Sequence, residues 1–226
     1  MATTLVHPVA DIVYPESDGN PISDHTLQFE WITMIKGNLD ILFADNSDVF
    51  VAGDLLWYPV EGEPKIRMAP DAMVVFGRPK ADRGSYRQWM EGNVPPQVVF
   101  EIMSPGNRPS EMFGKLLFYV KHGVQEYYFY DPFSYDFSVC VRSEDGLGLD
   151  EVTFEGVWTS PSLGVRFESI QGEKLKVFQP TGEPFLSFVE LEQRRRQLAR
   201  ERDAAVQRAE VLAERLRALG VDPDTL

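Results

Sequence analysis

An α/β domain followed by a helical tail is the fold class this sequence predicts, and three observations predict it. Short apolar runs rich in Val, Ile and Phe, such as Val74-Val75-Phe76 and Val98-Val99-Phe100, read as buried strands. Between them lie stretches whose apolar residues recur at helical spacing, with Leu27, Trp31, Met34 or Ile35, and Leu42 the first set. From Glu183 the texture changes to a heptad seam, with Leu191, Leu198, Ala205, Leu212 and Leu219 strictly seven apart.

Taken in order, residues 1–22 carry four prolines or glycines and no clear period, and read as an extended arm. Ser23 or Asp24 is placed to cap the first helix. Glu30 on that helix is either a solvent-facing residue or an additional acid of a site. Val49 to Tyr58 reads as a strand pair or bent strand, with Gly53 at a bulge or turn. Asp54, flanked by apolar residues, is either a turn aspartate bonded to its own backbone or a site acid. Glu61-Gly62-Glu63-Pro64 suits a hairpin turn that returns through Lys65-Ile66-Arg67-Met68.

Gly77 to Pro96 reads as a loop in which Arg78, Lys80, Arg83 and Arg87 alternate with Tyr86 and Trp89. Such a mixture suits contact with phosphates and stacking on sugar or base. It equally suits a solvated loop whose short amphipathic helix rests Trp89 on the core. After the strand at Gln97–Met103, Ser110 is placed to cap a helix that ends at Gly123. Phe113, Leu116, Leu117 and Val120 are its expected core stripe, which turns Lys115 outward toward a surface pair with Glu111. Glu126–Tyr130 is a further strand and Asp131-Pro132 a turn. Tyr135–Gln179 alternates apolar and polar residues like antiparallel strands, with Cys140 a buried small residue among them.

The bulk numbers limit the choices. A chain of 226 residues with 43% hydrophobic and 12% aromatic residues supports one ordinary domain and an appendage. No apolar run approaches a membrane span, and one cysteine allows no internal disulfide, so a reducing cytoplasm is expected. The net charge of −13 argues against a simple nucleic-acid binder. Residues 188–220, however, hold eight Arg against six Asp and Glu, so the excess acid lies elsewhere. His7, His25 and His122 share no metal-ligand spacing.

Two acids stand out. Asp71 follows Pro70 and opens the run to Phe76, and Glu101 interrupts the most strand-like stretch of the chain. An unpaired carboxylate there is energetically untenable, so each requires a partner or a cation. Lys115 follows on the next helix. Two strand-borne acids and a lysine are the minimum equipment of metal-assisted phosphodiester cleavage. A structural salt bridge is the other reading of Glu101.

This text resembles the PD-(D/E)xK nuclease superfamily and, within it, the Uma-two (Uma2) family of restriction-endonuclease-like proteins. The resemblance lies in Pro70-Asp71, Val99-Phe100-Glu101-Ile102-Met103-Ser104-Pro105, Lys115, and Tyr119 through Tyr128 leading to Asp131-Pro132. It extends to Val51–Pro59 and the Arg-rich tail. One departure stands: the superfamily pattern has Lys two residues after the Glu, where this chain has Met103. The family supplies its lysine from the following helix, which selects Lys115.

The resemblance implies a mixed central β-sheet flanked by helices over residues 23–182. A coiled-coil helix over 183–220 and a short tail, 221–226, follow. It implies Mg²⁺ or Mn²⁺ held by Asp71, Glu101 and the Ile102 backbone carbonyl, with Asp54 as an optional further ligand, DNA as substrate, and Asp71, Glu101 and Lys115 as catalytic residues. A homodimer through the coiled coil would set two sites against two DNA strands. Two other classes stay open. One is a nuclease fold without activity that serves as an interaction module, and the other is a nucleic-acid binder that does not cleave.

Overall fold

Sequence signals become elements most directly in the first helix. The computed structural model describes residues 12–17, 19, 23, 25–219 and 222. In it α1 spans Thr26–Leu42 and buries Trp31, Ile32, Ile35 and Leu39 on one face. Its cap is His25, whose Nδ1 accepts from the Leu27 N–H at 3.2 Å, while Ser23 Oγ braces His25 through its N–H and carbonyl. Ser23 therefore supports the cap and is not the cap itself. Asp24, His7, Gly220 and Pro223 lie outside the described residues. Of the N-terminal arm, Tyr14 is seen packing against Tyr58 and Trp89.

Six strands form the main sheet: β1 (Val49–Ala52), β3 (Ala72–Phe76), β5 (Val98–Ile102), β6 (Glu126–Tyr130), β7 (Phe137–Arg142) and β8 (Leu149–Glu151), side by side in that order. Every neighbouring pair is antiparallel except β5 with β6. A parallel pair requires a crossover, and α2 (Pro109–His122) supplies it. Two shorter pieces, β2 (Trp57–Tyr58) and β4 (Tyr86–Arg87), pair with each other. A small second sheet follows, β9 (Val157–Thr159), β10 (Arg166–Glu168) and β11 (Lys176–Phe178), all antiparallel.

The central strands read as continuous apolar runs because both their faces are covered. Val98, Phe100 and Ile102 of β5 join α1 and the small sheet in one core, with Ala72, Val74, Tyr128 and Tyr130. Val99, Met73, Val75 and Tyr127 join a second core with Trp57, Tyr86 and Tyr119 of α2. All five residues of β5 are buried. Its four apolar side chains stabilise by about 1.5–3 kcal/mol each. That offsets the several kcal/mol that removing one carboxylate from water costs.

The expected phase of α2 is corrected by the structure. Phe113 and Leu117 are exposed, at 61% and 51%, and Tyr119 is the helix's buried residue. The helix also begins two residues earlier than a Ser110 cap requires: Pro109 takes its first position after Arg108. Glu111 Oε2 accepts from the Arg108 N–H at 3.1 Å and so closes the N-terminus. At the other end Gly123 adopts φ 93°, a left-handed stop that glycine takes at little cost. Arg142 of β7 then donates to the carbonyls of Tyr119 and Val120 in the last turn and of Val124 just beyond the helix.

The chain divides into two compact units, Met1–Phe185 and Leu186–Leu226. The second is α3 (Phe188–Ala218), capped by Ser187 with Glu190 reaching back to the Ser187 N–H. Its seam residues Leu198, Leu212 and Leu219 are exposed. No helix among the described residues is long and apolar enough to cross a membrane.

Candidate functional site

The pleat of the sheet decides which acids meet. Ala72 of β3 lies opposite Phe100 of β5, and one step further along this antiparallel register Asp71 stands opposite Glu101. Residues two apart share a face, so Asp71 belongs with Met73 and Val75, and Glu101 with Val99. That is the face α2 covers. Both acids are buried, Glu101 at 1% exposure and Asp71 at 8%.

Glu101 receives two donors from α2. Lys115 Nζ lies 2.5 Å from its Oε2, and the Tyr119 hydroxyl donates to its Oε1. Positions 115 and 119 are one helical turn apart, so a single face of α2 delivers both groups to one carboxylate. The expected outward lysine thus points inward. A stripe counted from apolar residues alone misplaces a helix whose inner face carries an ion pair. The side chain of Lys115 is 23% exposed, so its ammonium borders solvent while Glu101 is sealed.

Asp71 takes one hydrogen bond among the described residues, from the Ile102 N–H to its Oδ2 at 2.6 Å. Burial, and next the charge of Glu101, push its pKa well above the usual carboxylate range; Lys115 and the Ile102 N–H offset only part of this. For Lys115, burial works against the charged form. Glu101 and Asp71 outweigh it, and the pKa rises. Burial and Glu101 push the Tyr119 phenol well up as well, so it remains a donor. The pair of acids carries more negative charge than its surroundings neutralise, and Asp71 bears the consequence.

Asp54 sits at the rim of this cluster. Its N–H donates to Pro70 O at 3.0 Å, and its charge raises both Asp71 and Lys115. Its backbone takes φ 48°, a left-handed conformation that aspartate tolerates better than most residues. Gly53 beside it is closely packed: a Cβ there would meet Lys36 Cγ at 3.2 Å and Asp71 O at 3.3 Å, and those neighbours would have to give way. No group of three His, Cys, Asp or Glu is arranged to hold a metal among the described residues. The available oxygen donors are therefore the Asp71 and Glu101 carboxylates and the Ile102 carbonyl, with Asp54 at the edge.

Ile102 O is held by a residue that sequence reasoning passed over. Gln28 of α1 donates its Nε2 to that carbonyl at 2.9 Å and is itself 7% exposed. Glu30, the residue weighed on this helix, is exposed. The signal was present, since Gln28 precedes Trp31, Ile32 and Ile35 by three, four and seven residues and so interrupts the buried stripe with an amide.

The basic loop is largely engaged with its own fold. Arg83 pairs with Glu91 at 2.7 Å and lies over the Phe50 ring. Lys80 Nζ donates to the Phe43 and Ala44 carbonyls at 2.5 and 2.7 Å. Arg87 lies over the Tyr14 ring, and Arg78 Nε donates to Gly77 O. Trp89 sits half-buried in a 3-10 turn, Gln88–Glu91. Asp131 accepts from the Phe133 and Ser134 N–H groups and forms a turn, as its sequence context indicates.

Comparison with known proteins adds the following. A family profile described as "Uma2: Putative restriction endonuclease" matches residues 17–171. Among solved structures, a "putative nuclease" from Anabaena variabilis ATCC 29413 is similar, at 15% identity and a TM-score of 0.42. That match covers 61% of this chain and 72% of the other. No curated protein matches the chain.

Proposed function

The chain belongs to the Uma2 family of restriction-endonuclease-like proteins, and from that premise we propose that it is a divalent-metal-dependent DNA endonuclease that hydrolyses phosphodiester bonds. The observation that carries the reading is the meeting of Asp71, Glu101 and Lys115 on one face at the end of β5.

The residues fit a hard divalent cation. Two adjacent buried carboxylates share a single ammonium, which pairs with Glu101, while burial and next the charge of Glu101 hold Asp71 well above the usual carboxylate range. Mg²⁺ or Mn²⁺ is satisfied by a few hard oxygens, so Asp71, Glu101 and the Ile102 carbonyl suffice, with Asp54 as an auxiliary. When bound, the cation would polarise a phosphodiester and acidify a water.

The chain's own groups do the rest. Tyr119 holds one oxygen of Glu101, which keeps the carboxylate fixed. Lys115 keeps its proton, because Glu101 and Asp71 raise its pKa, and presents a fixed positive charge at the solvent edge. A charge held there stabilises negative charge that builds on a phosphate in the transition state. Arg142 anchors the end of α2 and thereby the height of Lys115 over the sheet. Of the basic loop, Arg78 and Arg87 are the proposed backbone contacts. Lys80 and Arg83 would have to exchange present partners for phosphates.

The exposed seam of α3 supports a homodimer through that helix. Arg195 pairs with Glu192 and Arg202 with Asp203, which relieves two charges near the seam. Sedimentation of the full chain, with Leu198→Glu as the monomer control, tests it.

The test of function is nicking of supercoiled plasmid with Mg²⁺ or Mn²⁺, beside Glu101→Gln and Lys115→Ala. Metal-dependent nicking lost in both supports the roles of Glu101 and Lys115. A wild type that binds Mn²⁺ but cuts no DNA form would replace the enzyme by an interaction module or a non-cleaving binder.

A further inference from the structure

Ile102 is held at both of its backbone groups by side chains. Asp71 Oδ2 accepts from its N–H at 2.6 Å, and Gln28 Nε2 donates to its carbonyl at 2.9 Å. Both side chains come from earlier in the chain, one from just before β3 and one from α1. Between them they fix the end of β5, where the oxygen donors converge.

Gln28 uses only half of its amide for this. Its Oε1 is the one buried side-chain nitrogen or oxygen without a hydrogen-bond partner among the described residues. Turning the amide over does not cure this, because two oxygens would then face each other at Ile102 O. A dry, unpaired amide oxygen is costly, and the hydrogen bond that Nε2 gives Ile102 O does not remove that cost. So the oxygen calls for a donor that the metal-free chain lacks.

We propose that Gln28 is part of the cation site: its Nε2 positions the Ile102 carbonyl, and its Oε1 accepts a hydrogen bond from a hydration water of the cation. The inference rests on the metal-site reading above. Mg²⁺ and Mn²⁺ sites with few protein ligands retain several waters, and those waters need acceptors. Residues that orient ligands from outside the inner ring typically govern affinity by about 10–100-fold. Gln28 is therefore a positioning residue of the centre, supplied by a helix on the opposite side of the sheet from Lys115.

The experiment is a calorimetric titration of the full chain with Mn²⁺ alone, with metal-free melting measured in parallel. Gln28→Met should weaken Mn²⁺ binding by about 10-fold or more, while its metal-free Tm separately reads the loss of the donor to Ile102 O. Gln28→Glu gives up that donor but keeps an acceptor, so it should bind Mn²⁺ more tightly than Gln28→Met. A purely structural glutamine predicts unchanged Mn²⁺ affinity in Gln28→Met, and that result overturns the proposal. If Gln28→Met does not fold, Gln28→Leu is titrated in its place, and unchanged affinity there overturns it. Asp71→Asn separates the two levels. If wild type binds no Mn²⁺, or Asp71→Asn binds it unchanged, the metal-site reading falls and this inference with it. If Asp71→Asn loses binding while Gln28→Met keeps it, only the role of Gln28 falls.

Discussion

Two glutamates are sealed among the described residues, one at each end of the parallel strand pair of the main sheet. Glu101 lies near the end of β5 and Glu126 at the start of β6, at 1% and 2% exposure. Glu126 faces the small sheet and is surrounded by neutral donors: the Tyr128 hydroxyl at 2.5 Å, the Ser160 hydroxyl at 2.5 Å and the Ser162 N–H at 2.7 Å. Trp158 Nε1 and the Leu163 N–H extend the network by donating to Tyr128 and Ser160. Glu101 has an ammonium, a phenol and a second acid beside it. Burial of an acid is common to both, so burial alone does not mark a site. Glu126 is saturated and fastens the small sheet to the large one, whereas the charge around Glu101 is left unbalanced.

The largest expected effect separates them by activity. Glu101→Gln and Lys115→Ala should each reduce metal-dependent plasmid nicking by about 100-fold or more. Glu126→Gln should retain nicking per folded molecule. Equal loss in Glu126→Gln would erase the distinction. Next is stability: Glu126→Ala strands the buried Tyr128 and Ser160 hydroxyls and should cost about 2–4 kcal/mol in urea unfolding. Protection from hydrogen exchange should fall first in β9 and β10. Loss spread evenly over the main sheet would count against a local fastening role.

A smaller effect is expected for Tyr119→Phe, which leaves one oxygen of Glu101 without its donor and should cost about 1–2 kcal/mol. Its nicking rate should fall less than that of Lys115→Ala. The smallest effect has the opposite sign. Folded Asp71 holds its proton to higher pH than the unfolded chain, whose carboxyl titrates near 3.8. The folded state thus binds more protons in that window, and stability declines as pH rises through the folded pKa. Asp71→Asn removes the decline and should raise the metal-free Tm at pH 7 by about 2–4 °C, or roughly 1 kcal/mol. At a pH below 3.8 the two proteins should melt alike. A variant that melts lower at pH 7 would mean that the metal-free site is not overcharged.

Much of this was legible from residue order. Strand β5 announced itself by its apolar run, and the cost of burying Glu101 called for a partner before any geometry was known. The same argument applied to Glu126, but that acid opens its strand and does not interrupt it, so the run gave no warning. The phase of α2 was not legible. Phe113 and Leu117 suggested an inner face, and only the sheet beneath shows that Lys115 and Tyr119 occupy it. Gln28 carries no charge, so only its place in the buried stripe of α1 sets it apart from other helix amides. Asp71 meeting Glu101 depends on strand register, which local sequence does not state.

Arg142 has a consequence for timing. Its guanidinium ties the last carbonyls of α2 to β7, a strand that follows the crossover in the chain. During synthesis both acids and the lysine emerge before the strand that holds their helix in place. On the proposed reading, a nascent chain would own the groups for cleavage without the alignment that makes them useful. Competence would then arrive when the sheet closes, and a product lacking β7 would carry Asp71, Glu101 and Lys115 without the anchor of their helix.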